Sequence, residues 1–168
     1  MSQEPVPVFV FLDENISRMD EKILDFFAKN YAEALSRFDL FILPFPRKYK
    51  GKPDHEVVYM VRDYIFSNDH IQNCLSSSPD VQFLFLTLDK NFIDDVAAGL
   101  RNSSLRKRKA PRLDRKIIPA GNFIMLVKKD SPVVCLLIIP ICHSQNAGKE
   151  TLVADISKSL KDFLNANF

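Results

Sequence analysis

The sequence predicts an α/β fold: a three-layer α/β/α sandwich with a mostly parallel sheet, ending in a hairpin and a helix. Three observations lead there. The runs at Val8–Leu12 and Val81–Leu86 are apolar without polar alternation, as in strands covered on both faces. Segments with helical spacing of apolar residues follow the strands. Two further β-rich runs, at 122–127 and 133–139, are joined only through KKDSP. That connector is too short for a parallel crossover, so they form an antiparallel hairpin at one side of the sheet.

Each element has its own signal. Ser17 or Asp20 is the expected cap of one helix with Ile23, Phe26, Phe27, Ala34 and Leu35 on its buried side. Phe38–Phe45 is a second strand, stopped by Pro44 and Pro46. The loop RKYKGKPD follows, and Asp54 is placed to cap a helix beginning at His55, with Val57, Val58, Val61, Tyr64 and Ile65 as its stripe. A polar helix or loop occupies about His70–Asp80, and Phe92, Val96 and Leu100 mark a helix after the third strand. The basic, proline-containing stretch Asn102–Pro119 breaks periodicity and reads as an exposed loop inserted in a single domain of residues 1–168. A last helix, from about Lys149 to Phe163, carries Leu152, Val153, Ile156 and Leu160 inward. Phe9, Phe11, Phe83 and Phe85 belong to the core, and Cys135, inside the apolar string VVCLLIIPIC, reads as core too.

Composition narrows the function classes. A hydrophobic content of 46% and a charged content of 26% are those of an ordinary globular domain, and 168 residues suffice for a substantial core. Cys74, Cys135 and Cys142 form no C-x-x-C pair, which suits a reducing, cytoplasmic setting. The opening residues show no basic-then-apolar leader, and the most apolar stretch is too short for a bilayer and contains Pro140, so no membrane partner is expected. Four glycines, with neither G-x-G-x-x-G nor a Walker lysine motif, exclude a glycine-rich nucleotide cradle. His55, His70 and His143 lack H-E-x-x-H spacing and a cysteine pair, which argues against zinc.

The chemistry-bearing residues are acids at strand ends. Asp13 and Glu14 follow the first strand, Asp89 and Asn91 follow the third, and Asp54 stands at a helix start. Parallel strands open on one edge of the sheet, where ligands and metals sit. Carboxylates gathered there suit Mg²⁺ or Mn²⁺, which favour oxygen ligands and can activate water against a phosphoryl group. The competing account is that such acids are solvated or cap helices.

The words around these acids, FLDENI, PDHEVV and TLDKNF, resemble in order and placement the small PIN-like nuclease family related to the Mut7-C domain. The resemblance covers roughly Val8 to Val96. It implies a compact α/β domain and a metal-dependent ribonuclease cleaving phosphodiester bonds. Carried over, Asp13 is the principal metal ligand, Glu14 its acidic neighbour, Asp54 the acid at the helix start and Asp89 the ligand after the later strand. The family pattern has an aspartate where this chain has Asn91, whose amide oxygen coordinates without charge. Asp94 and Asp95 lie about one helical turn on, only Asp94 at i+3 from Asn91, and could compensate; the favoured reading is that they are ordinary acids in the first turn of a helix, where they suit its dipole. PIN-like proteins are often similar to the toxin halves of two-gene modules, so a protein partner or a homodimer is a further expectation.

Two basic segments complete the picture. Arg101, Arg106, Lys107, Arg108, Lys109, Arg112, Arg115 and Lys116 are opposed only by Asp114, and Arg47, Lys48, Lys50 and Lys52 precede Asp54. Such clusters neutralise phosphates without reading bases, which suits single-stranded or structured RNA, with Tyr49 available to stack on a base. The alternative is a binding module that keeps the fold while Asn91 has cost it catalysis. A receiver-like domain phosphorylated on Asp13 ranks last, because the first strand supplies no further acids.

Overall fold

A computed structural model of the protein describes residues 5–16, 19–43, 50–78, 80–103, 123–127, 131–141, 143 and 148–167. In chain order the elements are β1 (Val6–Leu12), α1 (Asp20–Asn30), α2 (Ala32–Arg37), β2 (Phe38–Leu43), α3 (Asp54–Ser67), α4 (Asp69–Ser77) and β3 (Gln82–Thr87). They continue with α5 (Phe92–Ser103), β4 (Phe123–Leu126), β5 (Val134–Pro140) and α6 (Lys149–Asn167). The five strands form one sheet in the order β2-β1-β3-β5-β4. β1 pairs parallel with β2 and β3, and β3 parallel with β5; β4 closes the edge antiparallel to β5, as the short connector requires. The chain steps outward from β1 to β2 and then returns past β1 to β3. The β1–β3 boundary is therefore a topological switch point, the place where open α/β sheets bind ligands.

Alternation of side chains along β1 supplies both core layers. Phe9 and Phe11 point to the face covered by Val57, Val61 and Ile65 of α3, Ile71 of α4, and Phe92 and Val96 of α5. Val8, Val10 and Leu12 point to the other, covered by Ile23 and Phe27 of α1, Ala34 of α2 and Leu152, Ile156 and Leu160 of α6. On the first face the parallel register sets Phe41, Phe9 and Phe83 side by side, stacked at 4.9 and 5.5 Å between centroids. Each such pair adds about 1 kcal/mol beyond area burial, and Phe9→Ala should cost about 3–5 kcal/mol.

Five expectations need correction. The single helix after β1 divides at Tyr31, whose φ of −134° leaves the helical region while its ring packs on Phe27 at 5.0 Å. Asp54 is the first residue of α3 and makes no cap; Pro53 holds the N-cap position without a side-chain bond, and at α1 Met19, not the expected Ser17 or Asp20, does the same. Asn102 and Ser103 continue α5 instead of opening a loop, while 104–119 lies outside the described residues. Cys135 is exposed: Val134, Leu136 and Ile138 take the inner face, and Cys135 stands opposite Met125 on the other. The segment after His70 is a helix, α4, capped by Asn68 Oδ1, which accepts from the Ile71 amide at 3.0 Å. Among the described residues no helix is long and apolar enough to cross a membrane.

Candidate functional site

β1 and β3 end side by side, with Leu12 opposite Leu86, and the Asp13 amide extends the ladder by donating to the Leu86 carbonyl at 3.0 Å. Asp13 is buried, 8% exposed as a residue. Its Oδ1 accepts from the amides of Asn15 (2.9 Å) and Ile16 (3.1 Å), folding the exit of β1 into a turn. Its Oδ2 accepts from Thr87 Oγ1 (2.8 Å) and the Leu88 amide (2.9 Å), fastening that turn to the exit of β3. A carboxylate has about four acceptor sites, and protein donors take them all. The fully buried Thr87 passes the connection on, its Oγ1 accepting from the Asp89 amide at 3.0 Å. Asp89 Oδ1 accepts from the Asn91 amide at 2.9 Å, and its carbonyl from the Phe92 amide at 3.3 Å, where α5 begins.

The carboxylates that face one another are Asp54, Asp89 and Asp95. One oxygen from each lies within 4.8 Å of the others. They come from the first residue of α3, the loop after β3 and the first turn of α5. Because Asp54 caps nothing, its side chain is available to this group. Partial burial, together with the negative charges of Asp89 and Asp95, pushes the Asp54 carboxyl up to about 6. A hydrogen bond with Asp89 and the more weakly felt charge of Asp13 act in the same direction. Two carboxylates this close hold a proton between them more readily than two charges. A hard divalent cation answers the same electrostatic need, since it prefers oxygen ligands and cancels the repulsion. The three carboxylates could therefore hold a hard divalent cation.

The residues expected from sequence divide accordingly. Asp54 and Asp89 lie in the group. Asp13 stands behind it, engaged with the backbone and Thr87. Glu14 is exposed in the turn after β1, and Asn91 and Asp94 are exposed around the start of α5. The helix turns Asp95, and not Asp94, toward Asp54. Asp95 lies on the stripe Phe92–Asp95–Val96–Gly99, spaced i, i+3, i+4, i+7, so the phase of the buried residues was the signal that distinguishes the two acids. Thr87 escaped notice because a lone threonine at a strand end has no distinctive spacing. Lys50 and Lys52 are exposed on either side of Gly51, whose φ of +75° suits glycine in the turn before α3. Arg47, Lys48, Tyr49, Arg106, Lys107, Arg108, Lys109, Arg112, Arg115 and Lys116 lie outside the described residues. His55, half-buried beside Asp54, meets Tyr59 edge to face at 6.4 Å between ring centroids. Comparison with family models, with curated proteins and with solved structures finds no match to this chain.

Proposed function

We propose that this protein is a metal-dependent ribonuclease of PIN-like type, hydrolysing RNA phosphodiester bonds at the Asp54–Asp89–Asp95 group. The observation that carries the reading is the meeting of these three carboxylates beside the switch point. Mg²⁺ or Mn²⁺ held there would supply an activated water and offset charge at phosphorus. Asp54 and Asp89 would be the principal ligands, with Asp95 providing the third carboxylate. Asp13 acts through position in this scheme, holding the Thr87–Asp89 loop by its hydrogen bonds. Lys50 and Lys52 would offset backbone phosphates at the start of α3, a salt-sensitive contribution. A cytoplasmic setting and a protein partner or homodimer belong to the same proposal.

The test is incubation of labelled single-stranded RNA with the protein in Mn²⁺ and in Mg²⁺, beside an Asp54→Asn, Asp89→Asn double variant. Cleavage by the parent alone, abolished by a chelator, is the expected result. Absence of cleavage with RNA retained equally by both proteins would sink the nuclease. It would instead favour a binding module, a reading supported by the neutral Asn91 and by the occupied acceptor sites of Asp13.

A further inference from the structure

Beside the acids of α3 and α5, the two helices approach closely at His55 and Gly99. Gly99 lies four residues after Asp95, on the same face of α5, and His55 follows Asp54 on α3. A Cβ built on Gly99 would stand 2.5 Å from His55 Cγ and 2.9 Å from His55 Cβ, and would collide with His55 Nδ1. The ring can swing aside about its own torsions, but the Cβ of His55 is fixed to the α3 backbone. Accommodating a methyl group at Gly99 therefore requires α3 and α5 to separate at this point. Phe92 and Val96 anchor α5 to the sheet, and Val57, Val58 and Val61 anchor α3. Asp54, the first residue of α3, precedes those buried positions.

We infer that Gly99 and His55 form a spacer that sets the separation of Asp54 from Asp95 and so tunes cation affinity, as positioning residues that touch neither metal nor substrate. This inference rests on the metal reading above. Shifts of a few tenths of an ångström matter to a divalent site because its ligand distances are narrow, and removing support behind the ligands costs about 10–100-fold in affinity.

The test is a double-mutant cycle of Gly99→Ala and His55→Gly, read by calorimetric titration with Mn²⁺ and by thermal melting of the metal-free proteins. Gly99→Ala is expected to weaken Mn²⁺ binding about 10-fold or more. The double variant should recover part of both affinity and melting temperature, because neither the ring nor the Cβ of His55 remains to meet the added methyl group. If Gly99→Ala does not fold, a folded double variant supports the spacer. Gly99→Ala binding Mn²⁺ within twofold of the parent overturns it. So does a double variant that neither melts higher nor binds tighter than Gly99→Ala. Lack of Mn²⁺ binding by the parent is a different failure: it removes the metal reading and the affinity role together, and the melting cycle then decides the His55–Gly99 contact alone.

Discussion

Asp13 and Asp54 are two aspartates at the same end of the sheet with opposite surroundings. Asp13 is buried among donors, with both oxygens accepting two hydrogen bonds each. Asp54 is half-buried among acids, and its carboxyl is pushed up to about 6. Burial alone thus does not say what an acid is for; the sign of its neighbours does. A carboxylate surrounded by N–H and O–H groups is a structural tie. One surrounded by other carboxylates is held in an arrangement that costs the fold free energy unless something positive joins it.

Substitutions should separate the two roles, and the largest effect belongs to Asp13. Asp13→Ala leaves the amides of Asn15, Ile16 and Leu88 and the Thr87 hydroxyl without their acceptor, and is expected to cost about 3–4 kcal/mol of unfolding free energy. Urea denaturation measures it; a loss below about 1 kcal/mol, the usual worth of one hydrogen bond, would end the claim that this carboxylate is a tie. Thr87→Val, similar in shape but lacking the hydroxyl, removes one donor to Asp13 and the acceptor of the Asp89 amide. Its expected cost is about 1–2 kcal/mol, with weaker Mn²⁺ binding as the Asp89 loop loosens.

Asp54 should respond in the other direction. Its native carboxyl titrates near 6 against an ordinary value of 3.8, so the native state holds this proton more tightly than the unfolded chain does. The associated stability is present below about pH 4 and is lost as pH rises through 6. Asp54→Asn should therefore raise the melting temperature of the metal-free protein by a few degrees at pH 7.5, and the gain should shrink toward pH 4. A loss of stability at pH 7.5 would show that Asp54 is tied as Asp13 is. Cation binding follows the same titration with opposite sign: Mn²⁺ affinity of the parent should rise between pH 5 and pH 7 and then level off, because the ligand must shed its proton. A flat calorimetric profile over that range would remove Asp54 from the ligand set.

Much of this arrangement was legible in the sequence. Runs such as VFVFL and FLFL can be covered only from both sides, which fixes parallel central strands and brings their exits to one edge. The hairpin followed from a connector too short to cross the sheet. Asp54 and Asp89 were reachable because their places depend on strand ends and a helix start. What Asp13 does was not legible, because an aspartate after a strand looks the same whether its lone pairs go to amides or to a cation. Cys135 was misplaced because an apolar string does not reveal which face of an edge hairpin remains uncovered. The break at Tyr31 has no glycine or proline to announce it; the ring packs on Phe27 and lies beneath Lys161 Nζ at 4.9 Å, contacts set partly by the distant α6.

The link from Thr87 to Asp13 joins residues 74 positions apart. Closing so long a loop costs chain entropy before any contact repays it. The tie can form only after β3 has docked against β1, with α1, α2, β2, α3 and α4 between them in the chain. It is therefore expected to be absent from the folding transition state, so that Asp13→Ala accelerates unfolding and leaves the folding rate nearly unchanged. In stopped-flow kinetics the unfolding limb alone should move; a matching fall in the folding rate would show the tie forming early. The carboxyl edge of the sheet would then be the last part of the molecule to assemble and the first to open, and the lifetime of the native state would depend on one aspartate.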